Sequence, residues 1–447
     1  MIVSSFFAVR VEMSLDSMSK YRRALARFRI YLCDRLDRLG EAASEAVQER
    51  RIQVVLLATT ALVSSNIAVV RITDTTLLQQ FSGTTIALLI TFLSVYVSFD
   101  IITPYLKFSE RQRIADAAHV LESYEDSVFI DLETMLLDSV PRPHDASGLS
   151  PRSRVAAATE DVPDTLYSLD DLTYDYRDEM YEIPTDLWGV LEPAVDQIAE
   201  IFEREGYFSQ LKLRADRVDD TEFQLSKTTY YRSFLTNFCP DLDLGSGRSL
   251  RTLTEQRLVA HGSVRPLPET PFSNHLGGAG LVVTADGVIA VSTRSGQVAV
   301  DKYAKSLSFS GSLDLEPVEK SRGLSEAVLQ DMTEELNISR DDVRDTAYLG
   351  TTRRMERLGK PDIVCLVLVD GLETWENPTD EFTDLDVIDL EGISDLHSIT
   401  DLLEEDVAEE ILRAIFENLN RTTRHASIGL LSFVALYSRL VRIRAET

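Results

Sequence analysis

A hairpin signal in the C-terminal half constrains the fold of this chain more than any other stretch. The run from Gly277 to Gly296 reads GGAGLVVTADGVIAVSTRSG, and its two segments rich in Val and Ile flank Ala285-Asp286-Gly287. Asp-Gly favours the primed turns that join antiparallel strands. Strand patterns alternate with helical ones further along the chain. Together they predict an α/β (α+β) sandwich of mixed sheet and helices.

The chain is strongly acidic, with 73 Asp and Glu against 45 Lys and Arg and a net charge of -28. This charge disfavours direct DNA binding, because affinity for a phosphate backbone depends on Lys and Arg. Only eight of the basic residues are Lys. An acid-rich, Lys-poor surface suits a saline cytoplasm in which salt screens self-repulsion, so the composition predicts a halophilic archaeal source.

Two uncharged apolar runs near the N-terminus predict a membrane hairpin. The first extends from Ile52 to Val70 and the second from Gly83 to Phe99. Each approaches the length of about 20 residues that crosses the hydrocarbon core. Basic residues concentrate before the first run and after the second, which places both termini in the cytoplasm. The predicted location is the cell membrane, with two spans; the alternative is a pair of buried helices in a soluble bundle.

A chain of 447 residues exceeds the size at which one core keeps growing, so several domains are predicted. The pattern divides it into a cytoplasmic helical segment (1–51), a transmembrane hairpin (52–104), a cytoplasmic helix (105–139), an exposed acidic linker (140–186) and a C-terminal domain with further helices (187–447). The linker is predicted because its stretch is rich in Pro, Ser and Asp and has little to bury.

Three carboxylates share one face of the helix predicted from Leu324 to Leu336. Asp331, Glu334 and Glu335 occupy positions i, i+3 and i+4 of that helix. A cation would relieve their mutual repulsion, and clustered carboxylate oxygens suit Mg²⁺ or Mn²⁺. The spacing therefore indicates a metal site. The alternative is an ordinary solvated face in a chain that carries many acids.

The segment from Gly311 to Ile338, GSLDLEPVEKSRGLSEAVLQDMTEELNI, resembles a divergent Nudix box, a glycine-loop-helix element. Asp331 stands at the first glutamate of the box, and Glu334 and Glu335 match its glutamate pair. The resemblance extends over about residues 220–435 and implies a Nudix-like sandwich.

Three positions depart from the pattern of the box. Gln330 stands in place of an arginine, Asn337 in place of a glycine, and Arg322 where an upstream glutamate is expected. The change at Asn337 is mild, because Asn tolerates the left-handed conformation better than other non-glycine residues. The change at Gln330 is not mild, because it removes a cation that would orient the carboxylates.

The resemblance implies Mg²⁺-assisted hydrolysis of a nucleoside diphosphate linked to another group. It implies that Asp331, Glu334 and Glu335 are metal ligands and that one of the two glutamates is the catalytic base. Whether the domain still catalyses this reaction stays open, since the box is degraded.

The same resemblance points to ligand-binding residues outside the helix. Gly311 opens the box, and Arg353, Arg354 and Lys360 lie in the polar loop TTRRMERLGKPD. Their side chains are expected to hold phosphates or a base. The alternative for the loop is a solvated hairpin connection.

The whole arrangement resembles the membrane effectors of cyclic-oligonucleotide antiphage systems. In these, a Nudix-like domain associated with SMODS-type nucleotidyltransferases is fused to a two-helix membrane unit. The resemblance implies a membrane-anchored, nucleotide-sensing effector that binds a nucleotide or cyclic oligonucleotide and forms a homo-oligomer in the membrane. The alternative is a Mg-dependent Nudix hydrolase of nucleoside diphosphate derivatives tethered to the membrane.

Overall fold

The chain divides into two compact units, residues 1–104 and 105–447. The computed structural model describes residues of the second unit, namely 120–137 (except 122), 154–161 (except 156), 163–204, 209–295 (except 243 and 245–247), 304–371, 382–421 and 426–446. The predicted N-terminal segment at 1–51 and the predicted hairpin at 52–104 lie outside the described residues.

Strands and helices alternate along the described part. The strands are β1 (Ile130–Asp131), β2 (Arg154–Val155), β3 (Ala157–Asp161), β4 (Thr173–Met180), β5 (Leu211–Asp219), β6 (Glu222–Thr229), β7 (Val259–Ala260), β8 (Ser263–Val264), β9 (Gly277–Thr284), β10 (Val288–Arg294), β11 (Lys305–Ser306), β12 (Phe309–Ser312), β13 (Val343–Arg354), β14 (Lys360–Val369) and β15 (Phe382–Asp389). The α-helices are α1 (Leu132–Met135), α2 (Thr185–Leu191), α3 (Val195–Arg204), α4 (Tyr230–Ser233), α5 (Leu250–Leu258), α6 (Glu316–Glu319), α7 (Leu324–Leu336), α8 (Ile399–Leu402), α9 (Glu405–Arg421) and α10 (Ile428–Glu446).

A mixed sheet forms the centre of the described unit. Its strand order is β11-β10-β9-β14-β13-β3, with β12 also paired to β9 and β15 to β10. β9 and β14 run parallel, whereas β13 and β14 form an antiparallel hairpin. The hairpin predicted around Asp286-Gly287 is confirmed: β9 and β10 pair antiparallel, and Gly287 has a φ of 82° that favours glycine.

Helices cover both faces of this sheet, as the predicted sandwich requires. Side chains of β14 alternate between the faces, because successive strand residues point in opposite directions. Ile363 and Cys365 pack into one core with Val328 of α7. Val364 and Leu366 pack into the other core, which also contains the apolar faces of α9 and α10. The prediction of a mixed sheet with helices is therefore confirmed.

The predicted exposed linker at 140–186 is wrong where the structure describes it. β3 pairs with β13 of the central sheet, and β4 pairs in parallel with β6 of a separate three-stranded sheet, β4-β6-β5. These segments are polar, and their partners lie far along the chain. Ladder hydrogen bonds to distant strands, rather than local apolar periodicity, hold them in place.

The predicted helix at 105–139 does not extend to its predicted end: residues 120, 121 and 123 are helical, but the residues that follow are not one helix. Residues Asp126–Val128 form a 3₁₀ turn, β1 follows directly, and α1 contains only four residues. The helical segment predicted from Leu187 is divided into α2 and α3 by a 3₁₀ turn that contains Pro193. Proline lacks the N–H that a continuous helix needs at that position.

The predicted location in the membrane, with two spans, is contradicted by the structure. No helix in the described ranges is long and apolar enough to cross a bilayer. The longest described helix, α10, has 19 residues and carries Arg439, Arg442 and Arg444. Its apolar side chains are buried in the core of the unit, as the sequence predicted for this segment.

Candidate functional site

The glycine and the helix of the predicted box lie in direct contact. Gly311 belongs to β12, and Asp331 lies on α7. A Cβ atom added at Gly311 would lie within 3.0 Å of the Asp331 carboxylate, a distance that real Cβ atoms essentially never show. The strand therefore needs glycine at this position to accommodate the carboxylate.

The other two carboxylates of α7 point in different directions. Glu335 is 5% exposed, and its Oε2 accepts a hydrogen bond from the Ser310 backbone N–H at 3.0 Å. Glu334 is exposed, and its Oε1 accepts a hydrogen bond from Gln330 Nε2 at 2.7 Å. Glu335 thus anchors α7 to β12, whereas Glu334 faces outward.

The three carboxylates of α7 differ in direction and in exposure. Mg²⁺ or Mn²⁺ needs several oxygen ligands around one point. Among the described residues no group of three or more His, Cys, Asp or Glu side chains is arranged to hold a metal ion. Asp331 lies against β12, Glu335 accepts a hydrogen bond from the backbone and Glu334 faces outward, and the role of these three residues as metal ligands stays a prediction.

The structure shows the surroundings of two positions at which the segment departs from the pattern of the box. Asn337 ends α7 in the left-handed conformation, with a φ of 53°, as expected for a residue that replaces glycine. Arg294 of β10 donates from Nη1 to Ser310 Oγ, so a cation lies beside the residue whose N–H binds Glu335. Arg294 thus contacts the same residue of β12 to which Glu335 is bound.

The predicted phosphate-binding residues lie at the closed end of the β13–β14 hairpin and are buried. Arg354 pairs with Lys360 across the two strands, next to Arg353 and Pro361. Arg353, Arg354 and Lys360 are 0%, 7% and 2% exposed. The alternative of a solvated loop is therefore wrong for all three side chains.

Two of these cations belong to a compact buried network. Glu356 Oε1 accepts a hydrogen bond from Arg354 Nε at 2.5 Å and lies 3.8 Å from Arg357 Nε. Asp362 Oδ1 pairs with Lys360 Nζ, and its Oδ2 lies 3.6 Å from Arg354 Nη1. All five residues are at most 8% exposed. We call these five residues the basic cluster.

The N-terminus of α10 adds to the positive potential of the basic cluster. A Cβ atom at Gly429, in the first turn of α10, would lie 3.6 Å from Arg354 Nη1. The Ser427 hydroxyl accepts a hydrogen bond from the Leu430 N–H at 3.1 Å and so caps this end of the helix. Helix N-termini carry partial positive charge and attract anions.

The position of Lys360 disfavours the charged form of its side chain, mainly because the ammonium group is buried. Burial lowers the pKa of Lys360 to about 8; Asp362 raises it, and the charges of Arg357 and Arg354 lower it. An ammonium group whose pKa falls in this way is destabilised in its charged form. A negatively charged ligand would reverse that effect.

The central sheet separates the basic cluster from the carboxylates of α7. A Cβ atom at Gly277 would meet Lys360 and Asp362, whereas one at the next residue, Gly278, would meet Val328 of α7. Adjacent strand residues point to opposite faces. The structure thus brings Arg354 and Lys360 together but does not bring them to the predicted metal ligands.

Two buried residues that contact Ser312 at the end of β12 were not predicted from the sequence, namely His275 and Lys212. His275, just before β9, is 0% exposed, and its ring lies parallel to that of Phe238 with centroids 5.2 Å apart. Lys212 of β5 donates to the Ser312 carbonyl oxygen at 3.0 Å and pairs with Asp314. No motif or spacing marks either residue, and only the pairing of distant strands brings them here.

No protein-family model and no curated protein matches the chain. A bifunctional NMN adenylyltransferase/ADP ribose pyrophosphatase from Francisella tularensis, complexed with AMP and a Mn ion, matches with 16% identity and a TM-score of 0.21. The match covers 33% of this chain and 42% of that one. A second structure of the Francisella enzyme matches with 19% identity and a TM-score of 0.22, over 30% of this chain and 41% of that one. This chain therefore spans less than half the length of the bifunctional enzyme.

A hydrolase of the NUDIX family from Clostridium perfringens also matches, with 9% identity and a TM-score of 0.20. That match covers 33% of this chain and 97% of the Clostridium protein. The chain is thus similar to these proteins over about a third of its length.

Proposed function

We propose that this chain binds a nucleotide through its phosphate groups and acts as a sensor of that ligand. The observation that carries the proposal is the basic cluster: Arg354, Arg357 and Lys360 gather in a buried position beside the N-terminus of α10. Guanidinium groups, an ammonium group and a helix N-terminus are the donors that proteins use for phosphate.

Energetics favour an anion at this position. Buried cations lose their hydration, and repulsion among them adds to the loss. Glu356 and Asp362 offset part of it, but Lys360 remains destabilised in its charged form. A bound phosphoryl group would compensate the remaining charge and stabilise the folded, liganded state.

Sensing accounts for the placement of the carboxylates better than hydrolysis does. Nudix-type hydrolysis uses a divalent ion held next to the phosphates. Asp331, Glu334 and Glu335 do not converge, and the sheet lies between them and the basic cluster. The proposed role is therefore binding without fast turnover. The resemblance to effectors of antiphage systems names the ligand class: a cyclic oligonucleotide.

Calorimetric titration of the full chain tests the proposal. Cyclic dinucleotides, cyclic trinucleotides and nucleoside diphosphate derivatives are titrated in a high-salt buffer, which screens the net charge of -28. We expect at least one to bind, and we expect Lys360→Met to weaken it. Lys320→Met is the matched control, because Lys320 is exposed and pairs with Glu316 on the surface. Sedimentation of the same samples shows whether the ligand promotes the predicted homo-oligomer.

Two outcomes contradict the proposed sensor. If no nucleotide binds at any salt concentration, the basic cluster is an internal ion-pair network. If the chain hydrolyses a nucleoside diphosphate derivative with Mg²⁺, and Glu335→Gln abolishes the turnover, the hydrolase alternative is correct. In that case the carboxylates of α7 rearrange around the metal and substrate.

A further inference from the structure

Strand β4 forms an open edge of the three-stranded sheet β4-β6-β5. It pairs with β6 on one side, and no strand among the described residues pairs with its other side. The opposite edge of the sheet differs, because β5 makes bridges from Lys212 to Asp314 and from Arg214 to His275. An open edge presents backbone N–H and C=O groups with which another strand can pair. β4 is therefore a candidate surface for association with a further chain.

The backbone of β4 shows which residues face this open side. The Thr173 N–H donates to the Thr221 carbonyl oxygen at 2.9 Å, so the backbone groups of Thr173 point towards β6. Backbone groups of successive strand residues point to opposite sides, and those of Tyr174 and Tyr176 therefore point outward. Both tyrosine rings pack against the core beneath the sheet, and the Tyr176 hydroxyl donates to Glu319 Oε1 at 3.4 Å. The core thus holds the open edge in place.

Two opposite charges flank Tyr176 on the exposed face of β4. The side chains of Asp175 and Arg177 are 68% and 55% exposed, and Asp175 Oδ2 lies 3.7 Å from Arg177 Nε. If two copies of β4 pair antiparallel with Tyr176 at the centre, Asp175 of each copy lies opposite Arg177 of the other. Opposite charges in such cross-strand pairs stabilise the pairing. The strand is therefore complementary to itself in charge.

Neighbouring registers lack this complementarity. A register centred on Asp175, Arg177 or Asp178 places that residue directly opposite its own copy, and like charges at such positions are destabilising. Strand β15 also pairs with only one described strand, β10, but it contains three Asp and no Lys or Arg. Two copies of β15 would therefore form no attractive charge pair. Charge favours β4 as the edge and Tyr176 as the centre.

We propose that two copies of this chain associate through β4, whose open edges pair antiparallel about a two-fold axis at Tyr176. The partner is a second copy because a two-fold axis brings the same surface of both chains together, which requires a surface complementary to itself. Tyr176 of each copy exchanges backbone hydrogen bonds with Tyr176 of the other, as in a hydrogen-bonded antiparallel pair. Pairing of one strand buries a small area, so the dimer is weak and depends on concentration.

Charge reversal tests this interface in the full chain. Sedimentation velocity is measured up to about 100 µM protein at about 0.15 M salt, where ions in contact still attract. Asp175→Arg and Arg177→Asp each turn two attractive pairs of the dimer into repulsive ones. We expect each variant to raise the Kd of the dimer about tenfold.

Two samples should recover the dimer. An equimolar mixture of Asp175→Arg and Arg177→Asp chains can form a heterodimer in which both cross-strand pairs are attractive again. The double variant Asp175→Arg/Arg177→Asp exchanges the two charges and restores both pairs within a homodimer. Recovery in either sample shows that the single variants are folded, because unfolded chains would not associate in this way.

Net charge alone predicts a different pattern. Asp175→Arg makes the acidic chain less negative and Arg177→Asp makes it more negative, so a general effect of charge would change the Kd in opposite directions. Arg217→Asp is the matched control, because it changes the charge by the same amount as Arg177→Asp. Arg217 is 52% exposed and lies on β5, away from the open edge. We expect Arg217→Asp to leave the Kd unchanged.

The outcomes that overturn the inference are distinct. A wild type that stays monomeric up to about 100 µM has no such interface. A dimer that neither charge reversal weakens is formed by another surface, and a dimer that neither the mixture nor the double variant restores does not pair Asp175 with Arg177. Each of these results leaves the proposed nucleotide binding standing, because calorimetric titration tests it separately and the basic cluster lies outside β4.

Discussion

Replacement of Lys360 by Met tests whether the basic cluster exists to bind an anion. In the folded chain the pKa of Lys360 is about 8, against an ordinary value of 10.5, mainly because burial disfavours the charged form. At about 1.4 kcal/mol for each pKa unit, the folded environment opposes the charge by about 3 kcal/mol. Met has a similar length and no charge. We therefore expect Lys360→Met to raise the free energy of unfolding at pH 7 by about 2–3 kcal/mol.

The same replacement should weaken binding of the nucleotide. Truncating one partner of a buried charge pair at a binding site costs about 2–5 kcal/mol, which corresponds to a rise in Kd of about 30-fold or more. A purely structural network predicts the opposite change in stability, because removing one partner of a buried ion pair destabilises by about 3–5 kcal/mol. Greater stability with weaker binding is therefore the signature of a site for an anion.

Urea unfolding of the full chain, followed by tryptophan fluorescence at high salt, measures the free energy of unfolding. Calorimetric titration with the nucleotide measures the Kd. Lys320→Met should change neither, because Lys320 is 63% exposed and exposed ion pairs contribute little. A Lys360→Met variant that unfolds more easily than the wild type and keeps its nucleotide affinity would refute the reasoning.

Three further predictions follow from named contacts. Between about pH 8 and pH 10.5 the unfolded chain binds more protons at Lys360 than the folded chain, so the free energy of unfolding of the wild type rises with pH through that interval. Urea unfolding at several pH values should therefore show that the difference in stability between Lys360→Met and the wild type shrinks as pH rises. Nucleotide affinity of the wild type should fall as pH rises through about 8. Gly277→Ala places a methyl group within 3.0 Å of Lys360 Nζ and Asp362 Oδ1; calorimetry should show weaker nucleotide binding, and urea unfolding a loss of about 1–3 kcal/mol. Asn337→Val forces a β-branched residue into the left-handed conformation and should lower unfolding free energy by about 1–2 kcal/mol, whereas Asn337→Gly should not.

Local patterns predicted the elements whose structure is determined locally. The Asp286-Gly287 turn between two apolar runs gave the β9–β10 hairpin, because the turn type and the strand period are both encoded within a few residues. The apolar spacing of Val328, Met332 and Leu336 gave α7 with its bounds, because that spacing defines a buried helix face.

Elements that depend on distant partners were not predictable in this way. β4 has mostly partly or fully exposed side chains and was expected to be a linker, yet it pairs with β6 some fifty residues later; Thr173, for example, pairs with Glu222. The sequence of β4 shows that the segment is polar, but it does not show which strand pairs with it. Pairing between distant strands is a tertiary property, and it overrides local preference.

The same limit applies to the candidate site. Arg353, Arg354 and Lys360 were identified as phosphate-binding candidates, but a run of charges between two strands also indicates a solvated loop. Their burial depends on Glu356 and Asp362 and on the end of α10, which lies about 70 residues further along the chain. His275 and Lys212 carry no motif, so nothing in the sequence indicates that both side chains contact Ser312.

Helix spacing alone could not decide what the carboxylates of α7 do. Positions i, i+3 and i+4 place Asp331, Glu334 and Glu335 on one side of the helix, but the packing of the helix on β12 determines where each oxygen points. Glu335 is used to bind the Ser310 backbone, which fixes the helix against the strand. The position of each carboxylate oxygen therefore depends on the strand against which the helix packs, and the spacing of residues along the helix does not contain that information.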